Sequence, residues 1–421
     1  MRSAIRTFLR FCVRIFYRHI EVVGEERVPG GPVIFAVNHP NGLIDPLFLL
    51  SFVPRPISFL AKAPLFRYPL IGWFVRKLES IPVYRKQDNT KGTNAETFAK
   101  AREVLQRGGT IAIFPEGTTH SDPQLRELKT GAARIALGAN LDALSVVPAG
   151  IYYTAKQSFR SAAMLVYGEP IHVRPRRSDA DEGAEPPAAE VDGLTARIDE
   201  GLDAVTLQAD SHTALDLAGR AEDIFTAHNE TPLAEELEIR RRFLDGYHYL
   251  RTHDPERLAR LESKVRQFAG ELERTNIDVN LLSRNIGIWR VLRMIVWLPL
   301  ALAGMIVNYL TYRLIGMLAR RVSKGEYEML ATMKFIGALL LYPLTWIALA
   351  FVIDHYFGWP YAVASLFVLP LLAYVALRFF EDLDGLIGRA RALWHPSRAR
   401  LEMQRREIRD EFLSVAKSME S

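Results

Sequence analysis

Cysteine is nearly absent from this chain: Cys12 is the only one in 421 residues. One thiol excludes a disulfide framework or a cysteine-rich zinc site within the chain, and it fits a reducing compartment. A large excess of one charge is also missing. Lys and Arg number 53 against 48 Asp and Glu, a net +5, which is too small to argue for nucleic-acid binding. With 49% hydrophobic and 24% charged residues, the composition excludes a disordered chain. No cleavable secretory leader is expected, because Arg2, Arg6, Arg10, Arg14 and Arg18 interrupt every apolar run near the start. The most telling absence is of charge itself. Residues 335–353 and 356–377 contain none, and each approaches the roughly 20 apolar residues that a helix needs to cross a bilayer core.

The length suits two or three domains. From residue 31 to about 173, apolar runs at 32–37, 56–61, 110–114, 144–152 and 163–173 alternate with helical stretches. The clearest of these helices is 94–107, capped at Asn94 and stopped by Gly108-Gly109. This alternation predicts an α/β domain over 21–175, a mixed sheet flanked by helices. Residues 174–190 are polar and proline-bearing, and 176–190 reads as a linker. Residues 191–285 read as a helical domain, with starts at Thr231-Pro232 and Asp254-Pro255. Its stripe Leu258, Leu261, Val265, Phe268 and Leu272 fits a short coiled coil or, better, the core of a small helical domain.

Residues 286–380 read as a membrane region and 381–421 as a basic helical tail. The connector 354–360 lacks Lys and Arg, whereas Arg378, Arg389, Arg391, Arg398, Arg400, Arg405 and Arg406 follow the second apolar stretch. That asymmetry predicts a transmembrane hairpin of 335–353 and 356–377 with its open ends in the cytoplasm. Residues 294–312 are also uncharged, but Pro299 and Asn308 interrupt them and basic residues flank both sides. A re-entrant or interfacial segment is favoured there, with a third span as the alternative. Buried helices of a soluble domain remain the other reading of the whole region. Residues 1–20, with arginine at every fourth position beside Phe8, Leu9, Phe11, Val13, Ile15 and Phe16, read as an amphipathic helix. It lies in an anionic membrane surface or, alternatively, packs on the protein body with a solvated basic face.

Four short stretches carry candidate chemistry. Asn38–Pro46 places His39 just past one apolar run and Asp45 at the start of the next. A neutral imidazole beside an anchored carboxylate is a general base with its tautomer set. Asp45-Pro46 equally makes an N-cap followed by proline at the first helical position. Ser80–Arg85 ends in a guanidinium suited to bidentate phosphate contact, or to a surface ion pair. In Phe114–His120, Gly117 lets the backbone approach a ligand closely, or Glu116-Gly117 is a plain turn. Val147–Gly150 holds Pro148, which can mark a bulge or edge strand. Arg126 and Lys129 lie between the third and fourth stretches and can add positive charge.

In order and spacing these blocks resemble the glycerolipid acyltransferase superfamily. His39 and Asp45 match its histidine–aspartate box, Ile81–Arg85 the block ending in arginine, Phe114–Thr118 the Phe-Pro-Glu-Gly block and Val147–Gly150 the proline block. Five residues separate His39 from Asp45 where the family commonly has four. This variant is similar to the fungal-type glycerol-3-phosphate/dihydroxyacetone-phosphate acyltransferases and their bacterial relatives. Asn41, Ser80–Asn89, Leu128–Gly131 and Phe159–Ser161 extend that similarity. The resemblance covers 31–173 strongly, 320–377 loosely and 191–285 only vaguely.

The resemblance implies a membrane-bound O-acyltransferase of phospholipid synthesis, moving a fatty acyl group from an acyl thioester to glycerol 3-phosphate. Acylation of lysophosphatidate or another lysolipid is the close alternative. A non-catalytic membrane lipid-binding scaffold is the alternative of another class. His39 would be the general base, oriented by Asp45. Arg85 would hold the acceptor phosphate, with Lys129 as a second cation. Asn41, Glu116, Gly117, Thr118 and Pro148 would shape the acceptor site, Glu116 by accepting a bond from a second hydroxyl. No metal and no cofactor is implied, with acyl-CoA or acyl-ACP (acyl carrier protein) as co-substrate. The partners implied are membrane lipids and a phosphorylated glycerol acceptor, without nucleic acid. The implied location is an integral membrane protein with a cytoplasmic catalytic domain, in a bacterial inner membrane or the endoplasmic reticulum.

Overall fold

The computed structural model describes residues 2–67, 69–84, 93–175, 185–226, 231–277, 288–323 and 327–420. The chain divides into two compact units. One comprises Met1–Gln208 with Glu326–Thr332, the other Ala209–Gly325 with Met333–Ser421. In chain order the first, the sheet unit, contains α1 (Arg2–Phe16), β1 (His19–Val23), β2 (Val33–Val37), α2 (Ile44–Phe52), β3 (Ser58–Lys62), α3 (Pro69–Lys77), β4 (Ile81–Val83) and α4 (Asn94–Gln106). It continues with β5 (Thr110–Ile113), α5 (Gly131–Ala139), β6 (Ser145–Tyr153), β7 (Ala162–Tyr167), β8 (Ile171–His172) and α6 (Ala188–Val205).

The strands form one mixed sheet in the order β1-β7-β6-β2-β5-β3-β4, with β8 also on β6. Pairing is parallel except where β6 meets β7 and β8. Every residue of β2 is buried, as a parallel strand covered on both faces should be. Ala36 stands level with Ile113 of β5 on one side and Pro148 of β6 on the other. The C-terminal ends of β2 and β5 therefore open onto the same rim, the usual ligand-binding edge of an open α/β sheet.

Helix α6 corrects the expected boundary at 190. Its stripe Val191, Leu194, Ile198, Leu202 and Val205 belongs to the sheet's core with Ile34, Ile111 and Val146. Periodicity showed that these residues face a core but not which one. Glycines at the contact let α6 sit close to β6. A Cβ on Gly150 would lie 2.8 Å from the Val205 carbonyl carbon, and one on Gly201 would lie 3.2 Å from Pro148 Cβ. Pro148 itself sits in an interior strand. Its carbonyl accepts from Gly168 N (2.8 Å), so its missing N–H faces the gap between the stretches of β6 paired to β8 and to β7. There no ladder bond is lost.

Helix α1 packs on this unit through Leu9, Val13 and Phe16, all buried. Two of its arginines cap α2: Arg10 Nε donates to the Ser51 carbonyl (2.8 Å) and Arg6 donates to the Val53 carbonyl. Guanidinium groups suit the negative end of a helix. The opposite face of α1 leaves Ala4, Phe8 and Phe11 exposed and Ile15 half-exposed, three or four residues apart.

The second, helical unit contains α7 (His212–Thr226), α8 (Leu233–His253), α9 (Pro255–Thr275), α10 (Ile288–Ser323), most of α11 (Tyr327–Phe357), α12 (Trp359–Trp394) and α13 (Arg398–Glu420). The α9 stripe is core: Val265 and Phe268 pack with Leu401 and Ile408, and Leu258 and Leu261 with Leu250 and Val415. The basic tail is therefore not free. Lys264 Nζ on α9 meets Glu411 Oε2 on α13 at 2.6 Å, and Arg400 on α13 donates to Glu271 on α9 at 2.7 Å.

Three helical segments are long and apolar enough to cross a membrane: Val291–Ser323, Met329–Phe357 and Trp359–Trp394. Residues 294–312, read as a re-entrant or interfacial segment or a third span, lie inside one helix, α10, which runs unbroken through Pro299. The polar residue that argued against a span is satisfied within the bundle. Asn308 Nδ2 donates to the Gly304 carbonyl (2.9 Å), and Trp346 Nε1 of α11 donates to Asn308 Oδ1 (3.0 Å). The expected connector 354–360 is likewise helical except at Gly358, whose φ of +91° ends one helix and starts the next.

Candidate active site

The end of β2 is clamped before the site begins. Asn38 Oδ1 accepts from Ile151 N (2.7 Å) and Asn38 Nδ2 donates to the Ile151 carbonyl (3.1 Å), fixing the loop to β6. His39 Nδ1 then lies 2.8 Å from Asp45 Oδ2. The imidazole is 17% exposed, so it can reach a substrate, while the carboxylate is fully buried. Asp45 is in the first turn of α2 but is not its N-cap, which is Leu43. Its carboxylate turns back to the loop, where Oδ2 also accepts from Asn41 N (2.7 Å) and Oδ1 accepts from Tyr153 OH (2.7 Å).

Burial, followed by the negative charge of Asp45, pushes the Tyr153 phenol well above its ordinary value, so it stays protonated and donates. Tyr17, stacked on Tyr153 at 5.4 Å, is raised for the same first reason. An imidazole whose Nδ1–H is given to this carboxylate keeps the Nε2 lone pair outward as a base. Phe114 steadies the ring from the side, stacked at 4.1 Å with planes 15° apart.

Glu116 departs from expectation. It is buried, and both oxygens are taken by protein donors. Oε1 accepts from His39 N (3.0 Å), and Oε2 accepts from Arg126 N (3.1 Å) and contacts His120 Nε2. A carboxylate so occupied ties two loops together. His120, given no role by the sequence, is the buried partner of this carboxylate. Asn41 is also fully buried: its Nδ2 donates to the Lys156 carbonyl (3.1 Å), behind the His39–Asp45 pair. Pro148 is buried beside Ala36 and faces α6, so it braces the sheet beneath the rim.

Gly117 and Lys129 meet. Gly117 has φ +72°, and a Cβ there would come within 2.8 Å of Lys129 Cε. Lys129 is exposed, next to the Glu116 loop, and its N–H donates to the Pro115 carbonyl (2.9 Å). Thr118 is exposed on the same loop. The Arg126 guanidinium is engaged by Asp122 at 2.6 Å. Arg85 and the residues that follow it to Asn89 lie outside the described residues. Among the described residues, no three His, Cys, Asp or Glu side chains gather as a metal ion would need.

The acyltransferase family model matches residues 19–152. An uncharacterized acyltransferase of Schizosaccharomyces pombe is 23% identical over 89% of this chain and 73% of its own length. Glycerol-3-phosphate O-acyltransferase 1 of Saccharomyces cerevisiae is 24% identical over 84% of this chain, which spans 61% of that relative. The 1-acyl-sn-glycerol-3-phosphate acyltransferase of Bacillus subtilis is 31% identical over 36% of this chain and 74% of its own length. This chain belongs to the glycerolipid acyltransferase superfamily. The span that matches the family runs from β1 into β6 and contains His39, Asn41, Asp45, Arg85, Glu116, Gly117, Thr118, Lys129 and Pro148. Similarity to the two yeast acyltransferases extends past the sheet unit, since 84% of the chain exceeds the length of that unit. Tyr153, which completes the Asp45 shell, immediately follows the last residue of the matched span. Nothing in its local sequence distinguishes it from any other strand tyrosine.

Proposed function

We propose that this acyltransferase moves a fatty acyl group from an acyl thioester to the hydroxyl of glycerol 3-phosphate, with His39 as general base. The observation that carries the reading is the 2.8 Å approach of His39 Nδ1 to a carboxylate that Asn41 N and Tyr153 OH hold in place. His39 Nε2 takes the acceptor's hydroxyl proton as its oxygen attacks the thioester carbonyl. The tetrahedral intermediate collapses, the C–S bond breaks and the thiolate leaves, taking the proton back from the imidazolium. Arg85 and Lys129 bind the acceptor phosphate, and the acyl donor is acyl-CoA or acyl-ACP. Similarity over most of the chain to a yeast glycerol-3-phosphate O-acyltransferase supports the acceptor. The bacterial relative at 31% identity favours lysophosphatidate as the second reading.

Labelled acyl-CoA and acyl-ACP, each offered with glycerol 3-phosphate, dihydroxyacetone phosphate and lysophosphatidate, test the proposal. The highest kcat/KM is expected for glycerol 3-phosphate. A preference for lysophosphatidate moves the acceptor to the second reading, and no turnover with any acceptor leaves a lipid-binding scaffold. Arg85→Lys is expected to raise the KM of the phosphorylated acceptor about tenfold, because an ammonium cannot copy the planar fork. The KM for the acyl donor should not move. An unchanged acceptor KM would take Arg85 out of the phosphate site.

The enzyme is an integral membrane protein in this reading, with its catalytic unit on the cytoplasmic side, where acyl thioesters and glycerol phosphates are made. The exposed Ala4, Phe8, Phe11 and Ile15 stripe of α1 rests in the adjoining lipid surface. Membranes washed with high salt and then carbonate should retain the protein, since apolar spans do not respond to screening. Release into the supernatant would refute integral anchoring.

A further inference from the structure

The loop between His39 and Asp45 holds its backbone donors firmly. Asn41 N donates to Asp45, Ile44 N donates to the Asn41 carbonyl at 3.0 Å, and His39 N donates to Glu116. Leu43 N lies at the N-cap of α2, where an amide has no helical acceptor. It donates to Thr332 Oγ1 at 3.2 Å, across 289 residues of sequence. Thr332 is near the start of α11, within the apolar segment Met329–Phe357. It is 2% exposed, and Ala331 beside it is fully buried. These first residues of α11 belong to the sheet unit, while the rest of that helix belongs to the helical unit.

We infer that Thr332 is a positioning residue for the His39–Asp45 pair, acting through Leu43 N, and that the start of α11 is a working part of the catalytic unit. The inference rests on His39 being the base. Asp45 follows Leu43 by two residues in the first turn of α2, so a shift of Leu43 moves the carboxylate against the imidazole. Misplacement by about 1 Å can cost 10²-fold in rate. Leu43, an apolar side chain 43% exposed on this loop, stands beside the point where α11 begins.

The test uses full-length protein in detergent with Thr332→Val, which keeps the shape without the acceptor, and Thr332→Ser, which keeps the acceptor. Thr332→Val is expected to lower kcat about tenfold with both KM values nearly unchanged. Backbone amide exchange in the 41–47 segment should quicken alongside. Thr332→Ser should restore both readings. A role in packing alone predicts the reverse order, because serine loses a buried methyl group and valine does not. Equal kcat and equal exchange in Thr332→Val and wild type would overturn the inference. Faster exchange with unchanged kcat would overturn the positioning role and leave a structural bond. Full turnover in His39→Ala would overturn the base on which the inference rests, and the exchange difference identifies that case separately.

Discussion

His39→Ala is expected to lower acyl transfer by about 10³-fold, within the range that a positioned general base contributes. The imidazole is partly exposed at the rim, so its removal leaves the buried Asp45 with Asn41 N and Tyr153 OH as partners. The fold should survive, with the thermal midpoint close to wild type. Asp45→Asn isolates the charge. Its amide oxygen can accept from His39 and Asn41, and its amide nitrogen can donate to the Tyr153 oxygen, so every buried group keeps a partner. The negative charge that stabilises imidazolium is gone, and kcat should fall by a comparable order. Wild-type turnover in His39→Ala would sink the mechanism. Wild-type turnover in Asp45→Asn would reduce the carboxylate to a tether for the loop.

Glu116→Ala should act chiefly on stability. Three donors face that carboxylate in a buried site: the amides of His39 and Arg126, and the His120 ring. Leaving a buried donor unpaired costs about 1–3 kcal/mol each. A total of at least about 3 kcal/mol would lower the midpoint of a unit of this size by roughly 6–12 °C. Activity should fall as well, because His39 loses the anchor on its own backbone, and the loss should not be specific to one acceptor. Thermal unfolding of the solubilised chain, followed beside acceptor KM values, decides the matter. A selective loss of acceptor affinity with an unmoved midpoint would return Glu116 to a substrate-binding role.

Much of the sheet was legible because its signal is local. Apolar runs predicted β2, β5 and β6, and the histidine–aspartate spacing predicted a pair that the structure holds at 2.8 Å. What was not legible depends on residues far apart in the chain. Glu116 pointed toward a substrate on sequence grounds because its partners are 77 residues back at His39 and beyond a turn at Arg126. Tyr153 reaches Asp45 over 108 residues, and no spacing rule announces it. Helix α6 carried a correct apolar stripe, yet the stripe cannot say whether it covers a sheet or a bundle. Asn308 reads as an unpaired polar group in an apolar run because its partner, Trp346, lies 38 residues on.

The ion pairs that join α9 to α13 constrain the topology by parity. A bilayer cannot pass between side chains in direct contact, and Lys264 with Glu411 and Arg400 with Glu271 are in such contact. While those pairs hold, α9 and α13 share one aqueous side, so a membrane-inserted chain would cross an even number of times between residue 275 and residue 398. Three helices with the length and apolarity of spans lie in that interval, one more than the largest even number they could supply. A count of hydropathy peaks alone would set α9 and α13 on opposite sides, and their side-chain contacts could not then form.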